Sequence, residues 1–236
     1  MRSFTSQILV RPLTECDELD ACVEVQRAIW GADAEVDERA LLVVASRFAG
    51  QVLGAFDGDR MIGMALAFHM AWADKMHSHR VGVLPEYQGR GVGRSLKLAQ
   101  RTTALAQGVQ TIEWTFDPLQ SLNAKFNLVH LGGIARAYLP NLYGASASPL
   151  HGMLPTDRLL IEWELDSARV ASALAGRPIR SSADAQRVAL PPRDCRSDAA
   201  HQARLRERLE TLLGHGYAVT SFTTEDEHDS YILETL

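Results

Sequence analysis

Cysteine is scarce in this chain: Cys16, Cys22 and Cys195 are all there is in 236 residues, an odd number with no C-x-x-C spacing. That excludes a disulfide framework and fits a reducing compartment, so the expected location is cytoplasmic. No uninterrupted apolar run approaches the roughly 18 residues needed to span a bilayer, and no charged-then-apolar leader opens the sequence, so no membrane partner is expected. Positive charge is not in excess: 24 Lys and Arg stand against 29 Asp and Glu, a formal net charge of −5. Such a balance argues against a surface that coats nucleic acid, while leaving room for a local basic pocket. What remains is the composition of an ordinary globular protein, 46% hydrophobic, long enough for one core of good size with an appendage.

The most informative stretch runs from Val83 to Lys97, V-L-P-E-Y-Q-G-R-G-V-G-R-S-L-K, where an apolar strand passes into a helix through a glycine-rich cationic turn. A dinucleotide fingerprint would need G-x-G-x-x-G, and a P-loop would need G-x-x-x-x-G-K-[ST]; neither is present, because Lys97 comes too late. The chemistry suits a pyrophosphate cradle, with an ordinary helix cap as the plain alternative. Gly89, Gly91 and Gly93 lack a Cβ and let a phosphate approach the backbone. A helix opening at Val92 offers unpaired N–H groups and the positive end of its dipole, and Arg90 and Arg94 add charge-assisted bonds.

Hydrophobic spacing supplies the surroundings. A short strand is expected over Ile8 to Leu13, helices over Leu19 to Trp30 and Glu38 to Phe48, and a hairpin from Gln51 to Phe56 and Arg60 to Phe68 across Asp57-Gly58-Asp59. His77 to Leu84, Val92 to Ala106 and Val109 to Phe116 then read as a strand, helix and strand whose two strands are parallel. A helix over Leu122 to Leu131 and strands over Ile134 to Leu139 and Arg158 to Leu165 follow, separated by an irregular stretch from Pro140 to Asp157 of the kind that is often functional. Beyond it come a Pro-, Ser- and Arg-rich linker, a charged amphipathic helix over Ala199 to Leu213, and a terminal hairpin.

The spacing Gln88-x-x-Gly91-x-Gly93, with Val81 and Val83 on the strand before it, resembles the acyl-CoA-binding motif of the GNAT superfamily of N-acyltransferases, and the order of elements from Ile8 to Leu165 is similar to that of GNAT domains. The resemblance implies an α/β (α+β) fold with a mixed central sheet, flanked by helices, whose parallel strands splay to admit the pantetheine arm. It implies a GNAT domain over 1–166; past it the residues themselves read as a helix and linker over 167–198 and a helix-hairpin extension over 199–236 that packs on its own domain or on a twin subunit, a homodimer, or else covers the substrate. It further implies acetyl-CoA or another short-chain acyl-CoA as co-substrate. Val81, Gly82 and Val83 would meet its pantetheine through their backbone, Gln88, Gly89, Arg90, Gly91, Val92, Gly93 and Arg94 would hold its pyrophosphate, and Asn123 and Asn127, one helical turn apart, would contact pantetheine or simply cap and pack.

Acyl transfer from a thioester to an amine needs a neutral amine and a group that takes its proton. His77 and His79 lie two apart on one strand and so share a face, the one facing the parallel-strand gap if Val81 and Val83 continue it. Counted back from the glycine turn, His77-Ser78-His79 falls where arylalkylamine N-acetyltransferases of the superfamily carry a catalytic His-x-His, and His77 falls where other branches place a glutamate base. Hydrogen-bonded, half-buried strand histidines are the plain alternative. A metal pair is disfavoured because no third ligand stands at telling spacing, so no metal is expected. Glu113 and Asp117 on the neighbouring strand are candidates to hold an imidazole or act as base, or are solvated carboxylates. Where many GNAT members carry a tyrosine that protonates the thiolate, this chain has Leu128, which leaves Tyr143, Tyr138 and His130 as candidate acids, or none. Arg158 is shaped to grip an acceptor carboxylate, or forms a structural turn and ion pair with Asp157. The expected function is transfer of a short acyl group to a small-molecule amine, an amino acid or an arylalkylamine. A non-catalytic acyl-CoA sensor or scaffold, and an acyltransferase acting on a protein terminus, are the alternatives.

Overall fold

In the computed structural model, residues 8–32, 34–71, 74–144, 154–196, 198–225 and 228–236 are described. Trp72 and residues 145–153 of the irregular stretch lie outside them. The chain divides into two units, Met1–Ile112 and Glu113–Leu236.

The first unit is a four-stranded antiparallel meander in the order β1 (Leu9–Pro12), β2 (Gly50–Asp57), β3 (Arg60–His69) and β4 (Lys75–Val83). Nearly every position of β2 and β3 is buried, because helices cover both faces. Strand alternation divides the side chains. Val52, Phe56, Met64 and Leu66 join Leu19, Cys22 and Val23 of α1 (Cys16–Trp30) and Leu42 of α2 (Arg39–Val44). Leu53, Ala55, Ile62 and Ala65 pack instead with Val92 and Leu96 of α3 (Val92–Ala106). Burying a side chain such as Leu96 completely is worth about 2–3 kcal/mol, so the second cluster fixes the direction in which α3 leaves the glycine turn.

The second helix is shorter than its hydrophobic spacing suggests. It ends at Val44 and passes into a π-helical turn, Ala45–Ala49, that leaves Phe48 81% exposed. The helix expected over Leu122 to Leu131 divides likewise, into α4 (Ser121–Ala124) and a π-helical turn, Lys125–His130. Residue periodicity does not register the wider i to i+5 turn, which depends on how neighbouring elements pack.

The second unit opens within β5 (Thr111–Phe116), and its strand order is β5, β7 (Arg158–Glu164), β6 (Ile134–Leu139), β9 (Tyr217–Glu225), β10 (His228–Thr235) and β8 (Gln186–Ala189). Ile112, Trp114 and Phe116 point inward from β5, and Trp114 meets the fully buried Trp163 edge to face at 5.8 Å. The C-terminal residues join this sheet. β9 pairs with β6 through Val219 and Ala135, and α6 (Ala199–Gly214) packs on β6 and β9 through Leu205 and Leu209. The stretch expected to be helix and linker holds α5 (Ala168–Leu174) and the short strand β8, which pairs with β10. Among the described residues no helix is long and apolar enough to cross a membrane.

Candidate active site

β4 ends at Val83, Leu84 N–H closes onto Ile62 O at 2.9 Å, and one 3-10 turn, Pro85–Tyr87, leads into the glycines. This turn is clamped from beneath. Arg60 reaches Glu86 at 2.7 Å, and the Tyr87 hydroxyl donates to Asp57 Oδ2 at 2.9 Å, so both ends of the β2–β3 hairpin hold it. Gly89 and Gly91 take φ of +73° and +84°, left-handed backbone that an L side chain adopts only with strain, and a Cβ built on either would meet nothing within 4 Å. The space in front of the loop is open. Gly91 caps α3, and Ser95 N–H is the first to bond back into the helix, to Gly91 O at 3.0 Å, so the preceding turn projects its N–H groups beyond the helix end. Open backbone at a positive helix end, beside an exposed arginine, fits a diphosphate.

The other residues expected at the cradle divide by role. Arg90 lies over the Tyr87 ring at 5.1 Å with its guanidinium exposed, and Arg94 is half-buried. Val92 is a core side chain, leaving only its backbone to face outward, and Gln88 donates its carboxamide to Val83 O at 3.1 Å, which braces the turn against the strand.

On β4 the face does not continue as expected. Leu66 pairs with Arg80 but Ala67 with Ser78, so His79 is the extra residue of a β-bulge. The bulge reverses the alternation. Ahead of it Ser78 points to α3, taking a hydrogen bond from Lys97 Nζ at 2.8 Å and donating to Gln100 Oε1 at 3.1 Å. Past it Gly82 points to α1, where a Cβ would strike Trp30 and Ile29, while Val81 and Val83 pack in the α3 cluster. Val81 and Val83 therefore do not continue the face of His77 and His79, and two adjacent residues, His79 and Arg80, both turn to one carboxylate. That carboxylate is Asp37.

Asp37 Oδ1 lies 3.4 Å from His79 Nε2, and Oδ2 lies 2.7 Å from Arg80 Nε. Gln26 of α1 holds the Asp37 backbone at both groups, donating to its carbonyl at 3.0 Å and accepting from its N–H at 2.9 Å. Burial raises the Asp37 pKa, but His79 and Arg80 outweigh it, and the carboxyl sits below its ordinary value. Its charge is felt nearby, where burial, with Asp37 added, pushes the Cys22 thiol up to about 12. Arg80 stacks over Trp30 at 5.1 Å and the His79 ring meets Phe68 edge-on at 5.9 Å. The His79 side chain is 36% exposed, so solvent reaches it. His77 is half-buried; burial, joined by the charges of His79 and Lys97, pulls its imidazole below the ordinary value, which keeps it a neutral proton acceptor near pH 7. Burial likewise lowers the Lys97 ammonium well below its usual range.

In the second unit Arg158 is buried. Its guanidinium donates to Asp157 O at 2.9 Å and lies over the Tyr143 ring at 5.3 Å, and the exposed Tyr143 hydroxyl is 3.3 Å from Thr115 Oγ1. The carboxylate of Asp157 binds Arg206 of α6 in two-point fashion. Tyr138 donates its hydroxyl to Asp157 Oδ2 at 2.7 Å; burial and that bond hold its pKa above the ordinary value, which ties it to structure rather than proton donation. Asn127 is buried and accepts from Trp114 Nε1 at 3.2 Å, whereas Asn123 is exposed. Glu113 is half-buried on the face of β5 opposite Trp114, and Asp117 accepts from Leu119 N–H at 2.9 Å, closing the turn after β5. Leu128 is fully buried and His130 exposed. Among the described residues no group of three or more His, Cys, Asp or Glu is placed to hold a metal ion.

Sequence reasoning missed Asp37, Gln26 and Arg80. Asp37 lies in an acidic stretch before α2 whose carboxylates look alike in sequence, and Arg80 reads as an ordinary strand cation.

The sequence matches the acetyltransferase (GNAT) family over residues 17–125. No curated protein matches it. Among solved structures, the ribosomal-protein-S18-alanine N-acetyltransferase of Escherichia coli is similar with a TM-score of 0.56 at 15% identity, covering 69% of this chain and 96% of that one. A GNAT-family protein of Desulfovibrio desulfuricans gives 0.55 at 15%, covering 67% and 99%. The yncA protein of Salmonella typhimurium, solved with its cofactor acetyl-CoA, gives 0.53 at 20%, covering 68% and 95%. At these identities the likeness carries the fold, and the fold is the α/β GNAT fold.

Proposed function

We infer that the protein, whose residues 17–125 match the acetyltransferase (GNAT) family, moves an acetyl or other short acyl group from coenzyme A to the amine of a small molecule. One observation carries this reading: the open, left-handed Gly89–Gly91 backbone at the positive end of α3, with Arg90 beside it, which suits the pyrophosphate of CoA. A neighbour of the same fold is solved with acetyl-CoA, which supports the same choice of co-substrate.

In this reading the acceptor nitrogen attacks the thioester carbonyl carbon, the C–S bond breaks, CoA leaves as a thiolate, and the proton released from the attacking nitrogen passes to an imidazole. His79, the more exposed of the two, is the first acceptor and His77 the second. A thiolate leaves without a strong acid, so the step needs no dedicated proton donor. Arg158 acts by holding the Tyr143 ring rather than by gripping an acceptor carboxylate, since its guanidinium is buried.

Two measurements test this. Calorimetry with acetyl-CoA should show binding that Gly91→Asp abolishes, because the new side chain fills the cradle and repels phosphate, while circular dichroism confirms the fold; unchanged affinity would reject the cradle. Thiol release with acetyl-CoA and a panel of amines should then show turnover. The buried Leu128, standing where the family resemblance places an acidic tyrosine, favours the rival of a binder without turnover, and that rival predicts affinity with no thiol release for any amine.

A further inference from the structure

The pair formed by Asp37 and His79 goes beyond what the sequence resemblance assigns. His79 reaches the carboxylate only because the bulge turns it and Arg80 to the same side, and the carboxylate is there only because Gln26 clasps the Asp37 backbone at both its donor and its acceptor. An imidazole has two nitrogens, and a carboxylate beside one of them fixes the proton on that nitrogen and leaves the other as the lone-pair acceptor. Here Oδ1 lies 3.4 Å from Nε2, the ring meets Phe68 edge-on, and the side chain as a whole is 36% exposed. The carboxylate is also incompletely bonded. Oδ2 and Arg80 Nε lie 2.7 Å apart but off the hydrogen-bonding direction, so neither makes a hydrogen bond.

We propose that Asp37 is a positioning residue that holds His79 as the Nε2–H tautomer, so that Nδ1 takes the proton released by the acceptor amine. For its catalytic consequence this rests on the acyl-transfer reading; for its geometry it does not. The step balances: one proton leaves the attacking nitrogen for Nδ1 as the C–S bond breaks, and it then passes to the CoA thiolate or to water. Arg80 shares the carboxylate, and its stacking on Trp30 keeps it in place as Asp37's second partner. The other titratable groups that feel the pair are His77 from the same strand, which feels the charge of His79 together with that of Lys97, and the buried Cys22 of α1, which feels that of Asp37.

The discriminating variant is Asp37→Asn, which preserves size and the Gln26 clasp while removing the charge. The general-base contribution of His79 is bounded by about 10²–10⁴-fold. Losing its orientation should therefore lower kcat by about 10- to 100-fold, with acetyl-CoA affinity by calorimetry unchanged and KM for the amine changed less than threefold. In a His79→Ala background the same substitution should have no further effect on kcat. Equal losses in both backgrounds, or an unchanged kcat in the single variant, would overturn the proposal. A readout independent of turnover is long-range 1H–15N NMR of the imidazoles. It should show neutral His79 as the Nε2–H tautomer in the unmodified chain and as a mixture in Asp37→Asn, and an Nδ1–H tautomer, or a tautomer indifferent to the substitution, would overturn the proposal. Failure of acyl transfer itself would appear differently, as absence of thiol release from the unmodified chain with any amine.

Discussion

Two buried aspartates, one in each unit, show how differently a carboxylate can be used. Asp157 is saturated: Arg206 binds it in two-point fashion at 2.9 Å, Tyr138 donates to Oδ2 at 2.7 Å and the Asn141 N–H donates to Oδ1 at 2.9 Å. Asp37 faces one half-exposed imidazole and one misaligned guanidinium, and only its backbone is firmly held. A saturated buried carboxylate resists any change of state, since each bond would have to be broken at once. One left partly bonded beside a titratable ring can follow that ring through a reaction. Asp157 is thus read as a fastener that ties the C-terminal helix to the end of the 140–157 stretch, helped by Gln202 Nε2 on Pro155 O at 2.9 Å, and Asp37 as part of the site.

The contrast is sharpest in a matched pair of substitutions. Asp157→Ala leaves Arg206 and Tyr138 without their anion, and removing one partner of a buried pair costs about 3–5 kcal/mol. Urea midpoints should show that loss. Asp37→Ala should cost only about 1–2 kcal/mol, because His79 and Arg80 retain access to water, yet it should lose most of its turnover per folded molecule. Equal destabilisation, with turnover intact in Asp37→Ala, would erase the distinction. A loss smaller than that of Asp157→Ala is expected from Tyr138→Phe, which removes one hydrogen bond to a charged group and should cost about 1.5–3 kcal/mol in the same assay, leaving acetyl-CoA affinity untouched.

The smallest effect concerns acid. The Asp37 carboxyl is lowered in the folded chain from an ordinary 3.8, so its contribution to stability is fully present above that value and is lost as pH falls through the lower, folded one. Asp229, lowered to about 2 by Ser121 and Arg196 against the opposing effect of burial, behaves the same way. Thermal unfolding followed from pH 5 downward should therefore show a shallower decline in Asp37→Asn than in the unmodified chain. A decline of equal slope would mean that Asp37 is no better stabilised as an anion when folded than when unfolded.

Much of this was determined by sequence alone, and the reason is range. The limits of α3, the β2–β3 hairpin at Asp57 to Arg60 and the strand before the glycine turn follow from spacings and turn residues within a few positions of one another. The left-handed backbone at Gly89 and Gly91 is of the same kind, since only a residue without Cβ occupies it freely. Tertiary structure decided the rest. A bulge at His79 exists only relative to the register of β3, so no property of β4 by itself reveals that His79 and Arg80 turn to the same side or that Val81 and Val83 turn away. The partners of the two aspartates come from distant segments, Asp37 from the approach to α2 and Arg206 from the C-terminal helix, and a side chain's charge says nothing about which distant group the folded path will bring to it.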